Sequence, residues 1–509
     1  MAAERTQAGI TLAQLLPGHP LPAGAGDLVV ADMSLDSRAL EPGTLFFAVP
    51  GASHDGRRFM GEAETAGCVA IVAEARGFDS VVSRLPSIPV IRVEQLNREL
   101  SAIAGRFYGE PSHRMAVTGV TGTNGKTTCS HLLAQLFDLA GIPAGVLGTL
   151  GYGALEKGRA PLTDTGMTTP DAIRTQQILA GFCEGGVEHV AMEVSSHSLD
   201  QHRVAAVRFD TAVFTNLSHD HLDYHGDLDS YGAAKARLFD TPGLRRAVIN
   251  VDDSYGRRLL AALPDTLDKL GYSLGGEGKD RARVFAEQVR FRHDGVSARV
   301  TTPWGEGDLE SHLLGEYNLG NLLAVLTAAC AQGLAFDTVL RLLPRLRPVP
   351  GRMEIVDPRH PVQVVVDYAH TPDALEKTLA ALRRHCQGTL WCVFGCGGDR
   401  DAAKRPLMGA VAQAGADRLV ITSDNPRSEE PQAIIEAIAA GAGDAARRIA
   451  DRRQAIRFAI DAAAEGDTVL IAGKGHEDYQ QVAGERLPFS DAVEARLALR
   501  RRVDRGGEA

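Results

Sequence analysis

Short apolar runs that end in polar or glycine-rich clusters recur along the chain. In the middle third, the runs MAVTGV, VEHVAMEV, TAVFTN and AVINV are each followed by such a cluster. In the last third, VQVVVDY, LWCVFG, RLVITS and TVLIAG show the same arrangement. Apolar strands that alternate with helical stretches indicate parallel sheets covered on both faces. Ligands in such folds gather beyond the carboxyl ends of the strands, where these polar clusters lie.

The pattern predicts an α/β protein with three domains. The chain has 509 residues, and about 150 residues per domain suggests roughly three. We expect a small N-terminal domain over residues 1–95, which contains the strand-like runs LVVAD and TLFFAV. A central domain with a mostly parallel sheet is expected over residues 96–346. A third α/β domain is expected over residues 347–509, after the proline-rich segment LRPVPGR.

The segment MAVTGVTGTNGKTT at residues 115–128 predicts a nucleoside triphosphate site. A glycine-rich loop between a strand and a helix turns backbone N–H groups toward phosphate, and the helix presents its positive end to the same anion. Val120 stands where the strict phosphate-loop pattern has glycine, so the match is to a shorter variant. The alternative is a strand-to-helix turn without a ligand. The predicted ATP-binding residues of the loop are Gly122, Thr123, Asn124, Gly125, Lys126, Thr127 and Thr128.

Oxygen ligands for magnesium are available near this loop. Thr127 is one candidate, and Glu193 occupies an otherwise apolar strand end, where a carboxylate is costly unless it is paired or coordinated. The run His219–His225 contains three histidines directly after a strand, although its spacing fits no standard zinc signature. The alternative for Glu193 is a hydrogen bond to a neighbouring backbone group or cation.

Three charged clusters follow strands in the last third of the chain. They contain Asp399-Arg400, Asp424-Asn425-Pro426-Arg427 and Lys474-Gly475-His476-Glu477. Arginine offers a planar fork for a carboxylate, and an acidic side chain holds an ammonium group. The clusters therefore predict a substrate that carries carboxylates and an amine. Each Asp-Arg pair alone could instead be a surface salt bridge.

Composition narrows the class of protein. Hydrophobic residues make up 44% and charged residues 23% of the chain, and no apolar stretch approaches the roughly 20 residues that span a bilayer. The N-terminus lacks the positive cluster and apolar core of a secretory signal. The seven cysteines lack the paired spacing of a metal site, and the formal net charge of −10 argues against binding nucleic acid. We expect a cytoplasmic monomer with neither membrane insertion nor a nucleic-acid partner.

A set of motifs between Leu35 and Phe489 closely resembles the Mur ligase family. The motifs, in chain order, are LDSR, TGTNGKTT, TTP, MEVSSHSLDQHRV, TNLSHDHLDYHG, AAKARLF, GEYNLGN, PGRME, DYAHTPD, FGCGGDRD, DNPR, GKGHEDYQ and FSD. The resemblance implies an N-terminal domain for the UDP end of the substrate, a central ATPase domain and a C-terminal Rossmann-like domain for an amino acid. It also implies ATP and Mg²⁺ as cofactors.

The family's functional residues can be placed on matching positions. Glu193, His221 and Lys235 match magnesium ligands, and the resemblance implies that Lys235 carries a CO₂ adduct, N6-carboxylysine. With Lys126 they form the implied catalytic set. Implied nucleotide contacts beyond the loop are Asn318, Asn321, Arg352 and Asp367. Implied contacts to the UDP-linked substrate are Leu35, Ser37, Ala52, Ser53, His54, Thr168, Thr169, Ser195, Gln201 and Arg203.

Within the family, the chain resembles ligases that add meso-2,6-diaminopimelate to UDP-N-acetylmuramoyl-L-alanyl-D-glutamate in peptidoglycan synthesis. The implied diaminopimelate contacts are Arg400, Asp424, Asn425, Pro426, Arg427, Gly473 and Glu477. One alternative is a folylpolyglutamate synthase-type ligase, against which LDSR and DNPR argue. Another is a non-catalytic ATP-binding protein that gates a partner, against which the retained Lys126, Glu193, His221 and Lys235 argue.

Overall fold

The computed structural model describes residues 9–51, 54–276, 279–443 and 445–506. The chain forms two compact units, Met1–Gly271 and Tyr272–Ala509. Among the described residues, no helix combines the length and apolar character that crossing a bilayer requires.

The first unit alternates strands with helices. Its strands are β1 (Ile10–Thr11), β2 (Val29–Val30), β3 (Asp32–Ser34), β4 (Thr44–Ala48), β5 (Ala70–Glu74), β6 (Val90–Val93), β7 (Ala116–Thr121), β8 (Ala144–Gly148), β9 (Gly151–Ala154), β10 (His189–Glu193), β11 (Thr211–Phe214), β12 (Arg246–Asn250) and β13 (Asp268–Ser273), in which the boundary falls. Its helices are α1 (Leu12–Leu15), α2 (Met60–Thr65), α3 (Phe78–Val81), α4 (Leu96–Phe107), α5 (Lys126–Leu139), α6 (Ala172–Glu184), α7 (Ser196–Asp200), α8 (Leu222–His225), α9 (Leu228–Ala236) and α10 (Ser254–Ala262).

Parallel pairing brings the carboxyl ends of the first unit's strands to common edges. A small parallel sheet has the order β3-β4-β5-β6. In the larger sheet, the strands of this unit follow the order β12-β11-β7-β10-β8-β9, and only β8 and β9 are antiparallel. β7 therefore lies between β10 and β11, and the loops that follow these three strands meet.

Helix α5 has an apolar face that packs into the core. Leu132, Leu133, Leu136 and Phe137 are all buried, and Gly141 adopts a left-handed φ of 85° just after the helix. Glycine is favoured there because it lacks the Cβ that penalises this conformation. Packing of α5 against the sheet fixes the position of the phosphate loop at its N-terminus.

The second unit contains the remaining elements. Its strands are β14 (Val284–Arg292), β15 (Gly295–Thr302), β16 (Gly305–Ser311), β17 (Glu354–Ile355), β18 (Gln363–Asp367), β19 (Leu390–Phe394), β20 (Arg418–Ile421), β21 (Arg447–Arg448), β22 (Thr468–Ala472), β23 (Tyr479–Val482) and β24 (Glu485–Pro488). Its helices are α11 (Glu316–Ala331), α12 (Phe336–Leu342), α13 (Pro372–Arg383), α14 (Lys404–Gly415), α15 (Pro431–Ala442), α16 (Arg452–Ala462) and α17 (Asp491–Gly506).

A second sheet has the order β17-β18-β22-β19-β20-β21 and is parallel except for the β17–β18 pair. Strands β14, β15 and β16 form an antiparallel ladder that the sequence analysis did not predict. The polar/apolar alternation of β15 is its signal, and the two-residue turn His293-Asp294 joins β14 to β15. The predicted α/β class with mostly parallel sheets is confirmed.

Candidate active site

The phosphate loop connects β7 to α5. Gly125 precedes the helix with φ 89°, and Gly122 has φ 145°. A Cβ on Gly122 would collide with the Thr215 side chain. Side chains are therefore disfavoured at Gly125 by its backbone conformation and at Gly122 by both its conformation and this collision. The first N–H groups of a helix lack intrahelical partners and favour an anion. The geometry fits the predicted phosphate site.

The segment after β11 holds the loop in place. Thr123 N and Asn124 N donate to Asn216 O and Oδ1, each at 2.9 Å, and Thr215 Oγ1 donates to Asn124 O at 2.6 Å. The sequence predicts that the loop can turn its N–H groups toward phosphate. Asn216 already accepts two of them, which leaves the beginning of α5 as the anion-facing part.

Two lysine amines meet at one carbonyl of the loop. Lys126 Nζ donates to Gly122 O and Thr123 O, both at 2.9 Å, and Lys235 Nζ donates to Gly122 O at 2.8 Å. Lys235 is 1% exposed, and its Nζ lies 4.2 Å from the centre of the Tyr231 ring. Burial, reinforced by the charge of Lys126, holds the pKa of Lys235 well below its ordinary value. The local environment thus favours a neutral amine.

Glu193 ends β10 and is fully buried. Its Oε2 accepts hydrogen bonds from Thr127 Oγ1 at 3.0 Å and Thr149 Oγ1 at 3.1 Å, and its Oε1 accepts one from Thr149 N at 2.8 Å. Thr127 and Glu193, predicted separately as magnesium ligands, are therefore in direct contact. Their oxygens form the kind of hard donor set that Mg²⁺ prefers. We identified no group of three or more His, Cys, Asp or Glu residues suited to a metal within the described ranges.

Gly148 leaves the space that the Glu193 carboxylate occupies. A Cβ at this position would collide with Glu193 Oε1, so Gly148→Ala should displace the carboxylate from Thr127 and Thr149. We expect a stability loss of about 1–3 kcal/mol from overpacking, together with a raised KM for ATP. Thermal unfolding and steady-state kinetics measure both. Gly181→Ala, on a helix with open space around it, is the control, and an unchanged KM for ATP in Gly148→Ala would contradict the expectation.

His221 lies in an aromatic cluster beside Lys235. Its ring centre is 4.9 Å from that of His197 and 6.1 Å from that of Tyr231, and its backbone adopts an uncommon φ of 53°. Tyr231 thus contacts Lys235 and also neighbours His221. The structure connects His221 to Lys235 through Tyr231, and among the described residues His221 has no hydrogen bond to Thr127 or Glu193.

The residues predicted to hold the muramoyl-dipeptide part of the substrate surround the same strand end. Thr168 Oγ1 lies 3.0 Å from Thr149 Oγ1, and Thr169 Oγ1 donates to Glu193 O at 2.9 Å and accepts from Ser195 N at 3.1 Å. Arg203 donates to Thr169 O at 2.8 Å. Arg203 Nε also donates to Gln201 Oε1 at 3.0 Å. The structure therefore brings all five together: Thr168, Thr169, Ser195, Gln201 and Arg203.

The residues predicted for the UDP end follow neighbouring parallel strands. Leu35 and Ser37 come directly after β3, and His54 follows β4. Leu35 and Ser37 are half-buried, whereas His54 is exposed. Ala52 and Ser53 lie outside the described residues.

The nucleotide residues predicted in the second unit are mostly buried. Asp367, at the end of β18, accepts hydrogen bonds from Met353 N at 2.8 Å and Ala369 N at 2.9 Å. Burial raises its pKa. The Arg352 guanidinium lies 4.7 Å from the Tyr368 ring centre, and its Nε is buried without a hydrogen-bond partner among the described residues. Asn321 Nδ2 donates to Asn318 Oδ1 at 3.1 Å on α11.

The three charged clusters of the last third converge at one edge of the second sheet. Arg427 Nη1 donates to Gly398 O at 2.6 Å, which links the loops after β20 and β19. Asn425 Nδ2 donates to Glu477 Oε2 at 2.8 Å, which links the loops after β20 and β22. A Cβ on Gly473 would lie 2.5 Å from Asp424 Oδ2. Of the remaining predicted residues, Pro426 is buried and Arg400 is exposed.

The sequence analysis missed residues that hold these side chains. Thr149 follows the apolar run AGVLG, which has the same strand-then-polar pattern that pointed to Glu193, so a signal was present. Asn216 follows TAVF in the same way. Tyr231 sits in an ordinary helix and carries no such signal.

Three segments of the chain match models of one protein family. Residues 30–108 match the description "Mur ligase family, catalytic domain", residues 120–329 match "Mur ligase middle domain" and residues 351–475 match "Mur ligase, glutamate ligase domain". The chain belongs to the Mur ligase family. Members of this family are ATP-dependent ligases that form amide bonds.

Two similar Mur ligases cover nearly the whole chain. A protein of Coxiella burnetii is 48% identical over 495 residues, which is 96% of this chain and 100% of that protein. A protein of Pseudomonas aeruginosa is 50% identical over 485 residues, which is 94% of this chain and 96% of that protein. Both are named UDP-N-acetylmuramoyl-L-alanyl-D-glutamate–2,6-diaminopimelate ligase.

A solved Mur ligase structure with the same name has a TM-score of 0.74 and 35% identity, and covers 97% of this chain and 99% of that one. A second, the MurF ligase of Thermotoga maritima in complex with ADP, has a TM-score of 0.62 and 20% identity, over 94% of this chain and 99% of that one. The second likeness supports the fold alone.

Proposed function

We propose that the chain joins meso-2,6-diaminopimelate to the γ-carboxylate of D-glutamate in UDP-N-acetylmuramoyl-L-alanyl-D-glutamate, a step of peptidoglycan precursor synthesis. The contact between Thr127 of the phosphate loop and the buried Glu193 carboxylate is the observation that carries the ATP-dependent step. The relatives' name and the converging Arg427, Asn425 and Glu477 support the choice of substrates.

The proposed reaction has two steps. The γ-carboxylate of D-glutamate attacks the γ-phosphorus of ATP, which forms an acyl phosphate and releases ADP. A neutral amine of diaminopimelate then attacks the acyl carbon, phosphate leaves, and the nitrogen loses a proton to give the amide. Positioning and charge neutralisation supply most of the rate enhancement in such phosphoryl transfers. Lys126 offsets the repulsion between the two anions.

The buried oxygens of Thr127 and Glu193 fit a magnesium ion, and we assign His221 and Lys235 to the same site. Bound Mg²⁺ would neutralise phosphate charge. Lys235 fits the site only as an anion, and the environment supports this modification because a neutral amine is the form that attacks CO₂. The nitrogen lone pair bonds to the carbon, and one proton leaves to give a carbamate.

Further assignments follow the family resemblance. Nucleotide contacts are proposed for the loop residues Gly122–Thr128 and for Asn318, Asn321, Arg352 and Asp367. Contacts to the UDP-linked substrate are proposed for Leu35, Ser37, Ala52, Ser53, His54, Thr168, Thr169, Ser195, Gln201 and Arg203. Three domains are proposed, over residues 1–95, 96–346 and 347–509. The family segments match residues 30–108, 120–329 and 351–475, so they support three domains, and the first segment crosses the proposed boundary at residue 95. The cytoplasmic location, the monomeric state and the absence of membrane insertion and nucleic-acid partners stay predictions from the sequence.

Phosphate release tests the proposal directly. The enzyme is incubated with ATP, Mg²⁺ and UDP-N-acetylmuramoyl-L-alanyl-D-glutamate, with meso-diaminopimelate in one sample and L-lysine in another. Release that depends on diaminopimelate is expected. Release with lysine would overturn the amino-acid assignment, and release independent of the UDP-linked substrate would overturn the ligase reaction.

A further inference from the structure

Lys474 follows β22 and has a side chain with 0% exposure. Its Nζ donates to Asn425 Oδ1 at 3.1 Å and to Glu477 Oε2 at 2.9 Å. Asn425 Nδ2 donates to the same Glu477 oxygen at 2.8 Å. The three side chains therefore form a closed triangle that ties the loop after β20 to the loop after β22. Of the three, only Lys474 is not among the proposed substrate contacts.

The triangle fixes which atoms face a ligand. Asn425 Oδ1 also accepts from Gln481 N at 2.9 Å, so its amide cannot rotate without losing three hydrogen bonds. Both donors that reach Glu477 among the described residues use Oε2. The other carboxylate oxygen, Oε1, accepts no hydrogen bond among the described residues. The buried ammonium group of Lys474 should hold Asn425 and Glu477 firmly, because a desolvated charge is costly when it is unpaired.

Further buried charges lie beside the triangle. Arg452 and Asp491 form an ion pair with 0% exposure of both side chains at 2.7 Å. Arg452 also donates to Ser423 O at 3.1 Å and Ala472 O at 2.9 Å, the carbonyls directly before Asp424 and Gly473. Lys474 and Arg452 thus bring two positive charges to a cluster with three carboxylates, those of Asp424, Glu477 and Asp491. Burial raises the pKa of Asp424, so this carboxyl is less readily ionised than an exposed one.

We propose that Lys474 is a positioning residue for the amino-acid substrate, which holds the side chains of Asn425 and Glu477 in the arrangement that binds it. This inference rests on the proposed function, because it assumes that the loops after β20 and β22 bind the amino acid. Lys474 acts through its two partners and does not itself touch the substrate.

The test compares Lys474→Met with Lys377→Met, which removes an exposed lysine of the same unit that pairs with Asp373. Lys474→Met should raise the KM for meso-diaminopimelate about 10-fold to 100-fold, with the KM values for ATP and the UDP-linked substrate unchanged. Acyl phosphate formed without diaminopimelate, trapped as a hydroxamate by hydroxylamine, should also be unchanged and shows that the variant is folded. Lys377→Met should match the wild type throughout.

A double-mutant cycle separates positioning from general stability. If Lys474 acts through Glu477, Lys474→Met combined with Glu477→Gln should be no worse than Glu477→Gln alone. The inference would be overturned if the losses of the two single variants added in the double variant. It would also be overturned if Lys474→Met and Lys474→Gln both lost hydroxamate formation equally, because that step does not need the amino acid. If the wild type accepts L-lysine instead of diaminopimelate, the proposed substrate is wrong. A raised KM of Lys474→Met for L-lysine would then still support the inference, and an unchanged KM would overturn it.

Discussion

Lys235→Met is expected to reduce ligase turnover about 10²-fold to 10³-fold, the range seen when a preorganised charge-stabilising group is removed. Lys235 lies buried at the Gly122 carbonyl beside Lys126. Methionine has similar length but cannot form a carbamate, so the site loses an anion while its packing is retained. Phosphate release under saturating substrates measures the loss, and the KM for diaminopimelate should stay the same because its proposed contacts lie elsewhere in the chain.

Carbon dioxide provides the control for this prediction. Wild-type enzyme that has been acidified, degassed and returned to neutral pH without CO₂ should lose activity, and added bicarbonate should restore it. The Lys235→Met variant should respond to neither treatment. A wild type that keeps full activity after verified removal of CO₂ would contradict the proposed carbamate.

The lowered pKa of Lys235 also predicts how stability depends on pH. At pH values between the folded-state and unfolded-state pKa, the unfolded chain binds a proton on Lys235 that the folded chain does not. The free energy of unfolding therefore rises with pH up to the ordinary lysine pKa. In CO₂-free buffer, the melting temperature of the wild type should rise more steeply with pH than that of Lys235→Met. Parallel curves would show that the amine is not desolvated as the structure indicates.

The strand ends of the site could be predicted from sequence, whereas several contacts could not. Glu193 was recognisable because a carboxylate at an apolar strand end needs a partner. Its partner Thr149 carries the same strand-end signal, but only the parallel pairing of β8 with β10 reveals that the two meet. Lys235 reads as an ordinary helix position, so its burial depends on tertiary packing and its modification was implied by family resemblance alone.

Fold prediction shows the same division between local and long-range information. The buried parallel strands were predicted because both of their faces are apolar. The β14–β16 ladder was not, because its half-exposed strands have fewer apolar positions and depend on turns such as His293-Asp294. The engagement of two phosphate-loop N–H groups by Asn216 depends on which strand neighbours β7, which no local pattern specifies.

Arg427 is expected to decide between diaminopimelate and lysine. These amino acids differ by one carboxylate at the far end, and a guanidinium binds a carboxylate through two parallel N–H groups. Arg427 has a left-handed φ of 52°. Its backbone is held by hydrogen bonds from Arg427 N to Gln481 O at 3.0 Å and from Ala483 N to Arg427 O at 2.7 Å. The side chain donates to Gly398 O through Nη1, which orients the guanidinium and leaves further N–H donors for a ligand.

Arg427→Ala should therefore raise the KM for diaminopimelate more than any other substitution proposed in the loops after β19, β20 and β22. Truncating one partner of a buried charged pair costs about 2–5 kcal/mol, which corresponds to roughly 30-fold to several thousandfold. Arg427→Lys should recover little of this loss, because an ammonium group cannot form the paired N–H contacts. Arg453→Lys, which changes an exposed arginine of the same unit that pairs with Glu494, is the control and should match the wild type. ATP binding should survive in all three variants.

The ratio of kcat/KM for diaminopimelate to that for L-lysine gives the sharpest reading of this prediction. If Arg427 binds the distal carboxylate, Arg427→Ala lowers kcat/KM for diaminopimelate while it leaves the weak reaction with lysine nearly unchanged, so the ratio falls toward one. If Arg427 only braces the loop after β19 through Gly398, both amino acids should lose activity in parallel and the ratio should stay at the wild-type value. Because the two roles predict opposite behaviour of one measured ratio, a structural contribution of Arg427 cannot be mistaken for recognition.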